Sequence, residues 1–484
     1  MAGIKKNFIY SSILTTANYI FPLLTFPYVS RVLGVSNIGI VNFIDSVIDY
    51  FILFSALGIN IVGVREIAKY KKDKIMLSQV FSGLFWLITI TTTIAIFVLC
   101  IITIYVDLLR QHWQLMSIGA LKLLMNYMLI EWLYKGLEEF QYITIRTLIV
   151  KILYVIGVFV FVRHEGDYPI YFFLITMMVV LNAIINLVHS RQYVTLAIHN
   201  ISVFKNVKPL CIIGIYQILN SMYISLNVTY LGFVSGETEV GYYTTAFKLH
   251  HILIALYTAF TGVMLPRMSS LLAENRVDEF KILIKKASDI LFTFSIPLII
   301  FAIIYAPVII RIVAGTGYEG AIIPMRLMMP LVFIIGYEQI LVIQTLMPLK
   351  KDKAILKNSI AGATIGLLLN IILIPRLASI GAAIVWLSSE IVVLLFAQYF
   401  VTKYVKIRFP WKKMLQSFLS NIPLIICLYL LYIRFDNQFL SFSVGVFFVC
   451  VYFLANNLLF SKNEQVSYLL NSISHKKHNT KSNT

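Results

Sequence analysis

Apolar runs of about twenty residues, parted by short polar or basic stretches, recur along most of this chain. A helix needs a run of that length to cross about 30 Å of hydrocarbon at about 1.5 Å per residue. No water is present there to satisfy backbone N–H and C=O groups, so each crossing segment must close its own hydrogen bonds as a helix. Fourteen crossings are expected, near 8–33, 36–57, 77–106, 115–136, 142–162, 168–190, 209–234, 239–265, 287–313, 320–349, 356–375, 379–402, 416–434 and 438–460. Composition agrees: 59% of the 484 residues are hydrophobic and 13% charged, whereas soluble domains are nearer half apolar and a quarter charged. The expected fold class is an all-α polytopic membrane protein.

A net charge of +18 would suit a nucleic-acid partner, but the placement of the charge excludes that class. With the amino terminus inside, about thirty of the forty Lys and Arg fall in the tails and even-numbered loops, which is the positive-inside pattern. Lys69, Lys71, Lys72 and Lys74 follow the second run, and Lys403, Lys406, Arg408, Lys412 and Lys413 the twelfth. Both termini are therefore expected in the cytoplasm, with no nucleic-acid partner. The first run follows two lysines but is too long for a signal peptide and lacks a small-residue cleavage site, so it is read as an uncleaved span. Residues 58–74, apolar and then basic, suit a helix on the inner membrane surface. The four cysteines lie in apolar runs without metal-ligand spacing, and neither a metal nor a cofactor is expected.

Charges inside the spans are the candidate functional groups, because an ionisable side chain in hydrocarbon needs a partner, water or a ligand. Lys248 follows Gly241 by seven residues in the eighth span, roughly 10 Å along the axis. Asp45 and Asp49 are four apart and so share a helix face in the second. Equal depth makes Asp45 the expected partner of Lys248. Lys122, Lys151, Arg326 and Arg31 are the further candidate substrate contacts, and Asp45, Asp49 and Glu390 the candidate gate or ion-coupling carboxylates. Glu131 and Lys135 have the spacing of a local pair. His250 and His251, adjacent in sequence, cannot share one face. Pro22 and Pro27 bend the first span and free carbonyls there, as in discontinuous helices that line transporter cavities.

A weak repeat accompanies these charges. Ile38-Gly39, Ile118-Gly119, Val240-Gly241, Glu319-Gly320 and Ile380-Gly381 each stand near an expected outer end, and Asp45, Lys248 and Arg326 follow their glycines by six or seven residues. These three charges are expected to ring one cavity. The implied organisation is an N-lobe at 1–190, a cytoplasmic linker at 191–208, a C-lobe at 209–402 related to the first by a pseudo-two-fold axis along the membrane normal, two appended spans within 403–461, and a cytoplasmic tail at 462–484. Short outward loops and the absence of a P-loop or a metal-spaced cluster point away from an enzyme and toward a transporter.

SRVLGVSNIGIVNFIDSVIDYFILFSALGINIVGVREIAK, EVGYYTTAFKL and NIILIPRLASIGAAIVWLSSEI resemble the corresponding stretches of bacterial Wzx-type flippases, in order and over most of the chain. These are the polysaccharide repeat-unit translocases of the multidrug/oligosaccharidyl-lipid/polysaccharide exporter superfamily. The resemblance implies a fourteen-helix, two-lobed transporter of the bacterial cytoplasmic membrane that moves undecaprenyl-pyrophosphate-linked oligosaccharide from inner to outer leaflet by alternating access. The polysaccharide polymerase and the chain-length machinery would be candidate partners, beside the bilayer itself. Lys248 stands in the basic position after GYY, and Asp45 in the pattern of the second span. The alternatives are a cation-coupled drug or metabolite antiporter of the same superfamily, whose cavity would be acidic, and a membrane glycosyltransferase or polymerase, which would carry a large outward loop.

Overall fold

Gly34 separates the first two apolar runs. In the computed structural model, which describes residues 2–197, 207–222 and 225–459, helix α1 (Ala2–Ala56) carries both runs and breaks at Gly34, where φ is 75° and ψ 170°. Glycine, without a Cβ, enters that region freely. Helix α16 (Asp352–Val405) is built the same way around Ala378, at φ 48° and ψ −126°. An alanine there stores strain, of order 1–3 kcal/mol. The neighbouring Ser379 is held on both its backbone N–H (3.1 Å) and its hydroxyl by the Glu239 carboxylate.

Between these doubled helices the first half continues through α2 (Ile59–Tyr70), α3 (Lys74–Tyr105), α4 (Asp107–Gln111), α5 (Trp113–Asn126), α6 (Glu131–Leu137), α7 (Phe140–Phe161) and α8 (Tyr168–Ser190). The second half comprises α9 (Val207–Ser221), α10 (Leu226–Ser235), α11 (Glu237–Ala273), α12 (Val277–Ile304), α13 (Ala306–Val313), α14 (Ile322–Met328), α15 (Leu331–Leu341) and α16. Helices α17 (Trp411–Ser420), α18 (Ile422–Arg434) and α19 (Gln438–Leu459) follow. Among the described residues nine helical stretches are long and apolar enough to cross a membrane, or ten if Glu237–Ala255 and Phe260–Ala273, bent by 42°, make one span. The tail at 462–484 and residues 198–206 of the linker at 191–208 lie outside the described residues.

Several expected spans are interrupted. The run at 115–136 divides into α5 and α6 around a 3-10 turn at Tyr127–Leu129, with Ile130 at φ 38° and ψ 32°. The Leu129 carbonyl released by that break accepts the Asn186 side-chain amide from α8, and Tyr134 of α6 donates its hydroxyl to the Asn186 carbonyl at 2.6 Å. A polar side chain thus replaces the missing helical bond. The run at 209–234 divides into α9 and α10. In helix α2, Ile59, Val62, Gly63, Glu66 and Ile67 are buried, and a Cβ on Gly63 would lie 2.9 Å from the Trp132 ring. One face therefore packs on the bundle, and Lys69 turns to Glu66 at 2.7 Å.

The apolar cores explain how the halves meet. The largest joins Phe26, Phe43 and Met116 of the first half to Tyr243, Met325 and Trp386 of the second. It fills the end of the bundle that holds Gly34. Toward the other end lie two smaller cores, one around Phe81, Trp132 and Tyr134 that also takes in Leu210 of α9, and one around Phe280, Phe292, Tyr337 and Phe400. Main chain meets main chain at both ends. A Cβ on Gly241 would come within 2.3 Å of the Val35 carbonyl, and one on Gly39 would overlap the Glu237 carbonyl. At the opposite end a Cβ on Gly58 would lie 2.9 Å from the Gly214 backbone nitrogen.

Candidate functional site

Asp45 and Asp49 face the same way one helical turn apart, and a single ammonium binds both. Lys122 Nζ donates to Asp45 at 2.6 Å and to Asp49 at 2.7 Å. Close packing brings the three together. Gly119, one turn before Lys122, presses on Ile48, so near that a Cβ there would stand 2.5 Å from its side chain. The Lys122 side chain is 10% exposed, Asp45 27% and Asp49 57%. The ion pairs are thus buried at the lysine and open at the outer carboxylate. As two carboxylates and one ammonium, the group carries one negative charge in excess.

The expected pairing of Asp45 with Lys248 is accordingly not what the structure contains. Lys248 Nζ lies over the Phe26 ring, 4.6 Å from its centroid, and no carboxylate forms an ion pair with it among the described residues. It does stand within the field of Asp45. The excess negative charge in the first half therefore faces a lysine of the second half that lacks an acid of its own. A ring face holds a cation by about 0.5–2 kcal/mol and leaves its charge without a counter-ion, so this ammonium is available to an anion.

The remaining candidates are spread more widely. Lys151, buried in α7, donates to the Asn18 side-chain oxygen at 2.6 Å, 5.7 Å from the Phe21 ring; it and Lys248 approach the proline-bearing part of α1. Arg31 bonds the Pro27 carbonyl at 2.8 Å and the Ile312 carbonyl, beside the bond from the Tyr318 hydroxyl to the Ser30 carbonyl at 3.1 Å. It belongs to the closure between the halves at the Gly34 end, where His112 also meets Glu237 at 3.0 Å. Arg326 is exposed and donates to the Ile303 carbonyl at 3.1 Å; no bond joins it to Asp45 or Lys248. The ring of three charges at matched depth does not form.

Glu390, buried in α16, accepts the Trp386 indole N–H at 3.1 Å, and its carboxyl lies within hydrogen-bonding reach of that of Glu338. Two carboxyls bond to each other only with a proton on one of them. Glu338 was legible as a lone acid in an apolar span and belongs with Glu390. His250 packs edge-on against Trp386, with ring centroids 4.9 Å apart. Glu131 pairs with Lys135 at 3.0 Å, as its spacing requires, and Arg146 joins at 3.3 Å. Among the described residues no three His, Cys, Asp or Glu side chains gather as a metal site.

Comparison with known proteins places this geometry. The sequence matches the family described as polysaccharide biosynthesis protein over residues 4–272. A candidate O-antigen transporter of Escherichia coli (strain K12) is 30% identical over 400 residues, covering 81% of this chain and 95% of that protein. One from Shigella dysenteriae is 24% identical over 395 residues, covering 81% and 98%. The inward closed structure of the lipid II flippase MurJ superposes with a TM-score of 0.75 at 15% identity, over 94% of this chain and 99% of that one. An inward-facing multidrug resistance MATE transporter of the MOP superfamily superposes at 0.58 and 14% identity, over 80% and 94%. The fold is theirs, and the chain belongs to the polysaccharide biosynthesis protein family.

Proposed function

We propose that this protein is a flippase that carries undecaprenyl-pyrophosphate-linked oligosaccharide from the inner to the outer leaflet of the bacterial cytoplasmic membrane, for surface polysaccharide assembly. Lys248 carries the reading. It is a cation in a spanning helix, set where the two halves meet, with an aromatic face in place of a carboxylate. A pyrophosphate cannot cross hydrocarbon unaided, and an ammonium without an acid partner offers it a counter-charge. Lys151, whose partner is a neutral amide, offers a second.

The N-lobe at 1–190 and the C-lobe at 209–402 are the moving bodies, with both termini cytoplasmic. Their larger shared core at the Gly34 end, against the contact of α9 alone with the first-half core at the other, suits opening toward the cytoplasm first. An apolar groove of about 650 Å³, walled by Leu253, Tyr257, Phe260, Phe294, Leu298 and Val449, suits the prenyl chain. An inside-negative potential drives an anion outward by about 2.3 kcal/mol per charge per 100 mV, so transport needs no dedicated ion site. The names of the Escherichia coli and Shigella relatives agree with this substrate class.

Substitution at Lys248 tests the reading. Lys248→Arg is expected to retain part of the surface polysaccharide, and Lys248→Ala and Lys248→Glu to lose it, all at ordinary protein levels in the membrane. Ordinary surface polysaccharide in Lys248→Ala at ordinary expression refutes the contact.

A further inference from the structure

A cavity of about 440 Å³ runs from Asp49 to the corner between α1 and α2, at the end of the bundle away from Gly34. Its wall carries three primary amides, those of Asn60, Asn126 and Gln217, none hydrogen-bonded among the described residues. Its carboxylates are already matched, Asp49 by Lys122 at 2.7 Å and Glu131 by Lys135 at 3.0 Å and Arg146 at 3.3 Å. The one lysine in the wall, Lys135, is held by Glu131. Counted together, Asp45, Asp49 and Glu131 balance Lys122, Lys135 and Arg146, so the wall offers neither a phosphate nor a metal ion a net counter-charge. What the wall offers is hydrogen bonding in both directions, since amides donate and accept and carboxylates keep lone pairs, beside the Tyr127 ring. That chemistry fits a neutral ligand dense in hydroxyls.

The cavity also lies across the two halves, because Gln217 comes from α9 and the other amides from the first half. Movement of the halves would change its shape, as a site for cargo requires. It adjoins the proposed phosphate contact through one helical turn: Asp49 enters its wall, and Asp45, about 6 Å along the axis, is the carboxylate whose field reaches Lys248.

Resting on the proposed function, we infer that this cavity seats the first sugar of the cargo, with the pyrophosphate at Lys248. The test uses the full chain in detergent with two probes: undecaprenyl pyrophosphate, and the saccharide-bearing lipid that accumulates in cells from which the gene has been deleted. Binding of each is measured by competition in native mass spectrometry. The unaltered chain is expected to prefer the saccharide-bearing lipid by about tenfold. Asn126→Leu, Gln217→Met and Asn60→Leu should each weaken that lipid about fivefold, the worth of one hydrogen bond, and leave undecaprenyl pyrophosphate unchanged. Retained binding of the bare lipid reports the fold of each variant, and Asn60, being exposed, provides a substitution that packing does not depend on. Equal binding of both lipids by the unaltered chain, or parallel loss of both in all three variants, overturns the inference alone. Failure of the unaltered chain to bind either lipid overturns the proposed function with it.

Discussion

Replacing Lys122 by methionine removes the one charge that holds Asp45 and Asp49 together and keeps most of the side-chain volume. Both bonded oxygens touch a single nitrogen at 2.6 and 2.7 Å, so they can be no more than about 5 Å apart, and two unit charges at that distance repel by about 3 kcal/mol at an effective dielectric constant near 20. Water at Asp49, whose side chain is 57% exposed, trims this to about 2–3 kcal/mol. Removing all three charges, by Lys122→Met with Asp45→Asn and Asp49→Asn, should recover most of the loss, because replacing a whole buried ion pair by neutral groups is often close to neutral. The assay is the melting midpoint of detergent-solubilised protein, all variants heated at one rate because unfolding is irreversible in such proteins. The single variant should melt about 2–3 °C lower, and the triple variant between it and the unaltered chain. A single variant that melts with the unaltered chain, or a triple variant that melts below the single one, refutes the electrostatic account.

Glu390→Gln should melt within a degree or so of the unaltered chain, because the amide can donate to Glu338 and still accept from Trp386, whereas Glu390→Ala leaves two buried partners unsatisfied, at about 1–3 kcal/mol each; equal melting of the two variants would contradict the pairing. Gly241→Val is expected to part the closure at the Gly34 end, since its Cβ would stand 2.3 Å from the Val35 carbonyl, and a cysteine placed at Ser36 should then react faster with a hydrophilic maleimide; an unchanged rate would place the closure elsewhere. Asp73 caps α3 by accepting from the Ile75 and Met76 N–H groups at 3.1 Å each, so Asp73→Ala should cost about 1 kcal/mol, visible as earlier proteolysis at the α2–α3 turn; unaltered proteolysis would show that the cap is not limiting.

Much of the fold is written in apolar run length, because hydrocarbon leaves a chain so few options. The break at Gly34 is signalled by its glycine. The break at Ile130 is not: no glycine or proline occurs from Asn126 to Glu131, and the bond that makes it tolerable comes from Asn186, more than fifty residues away. The site shows the same division. The shared face of Asp45 and Asp49 follows from their spacing, but their cation could not be chosen by depth alone. Depth fitted Lys248, whereas the register of α5 on α1, fixed by the contact of Gly119 with Ile48, delivered Lys122. Depth along separate helices says nothing of the azimuth at which each side chain leaves, which is also why Arg326 is exposed rather than joined to the other two.

The glycines at the two ends of the lobe interface bear on kinetics. At Gly39 with Glu237 and at Gly58 with Gly214 backbone approaches backbone, so the glycines add no side chain of their own to be repacked when the halves separate, and the cost of parting lies in the apolar core shared at the Gly34 end. The electrostatic balance in the middle is a separate contribution, a spare negative charge on one side facing a spare positive one on the other, and under the proposed function a bound anion would shift it. Larger side chains at either seam would hold the two backbones apart, as expected for Gly241→Val.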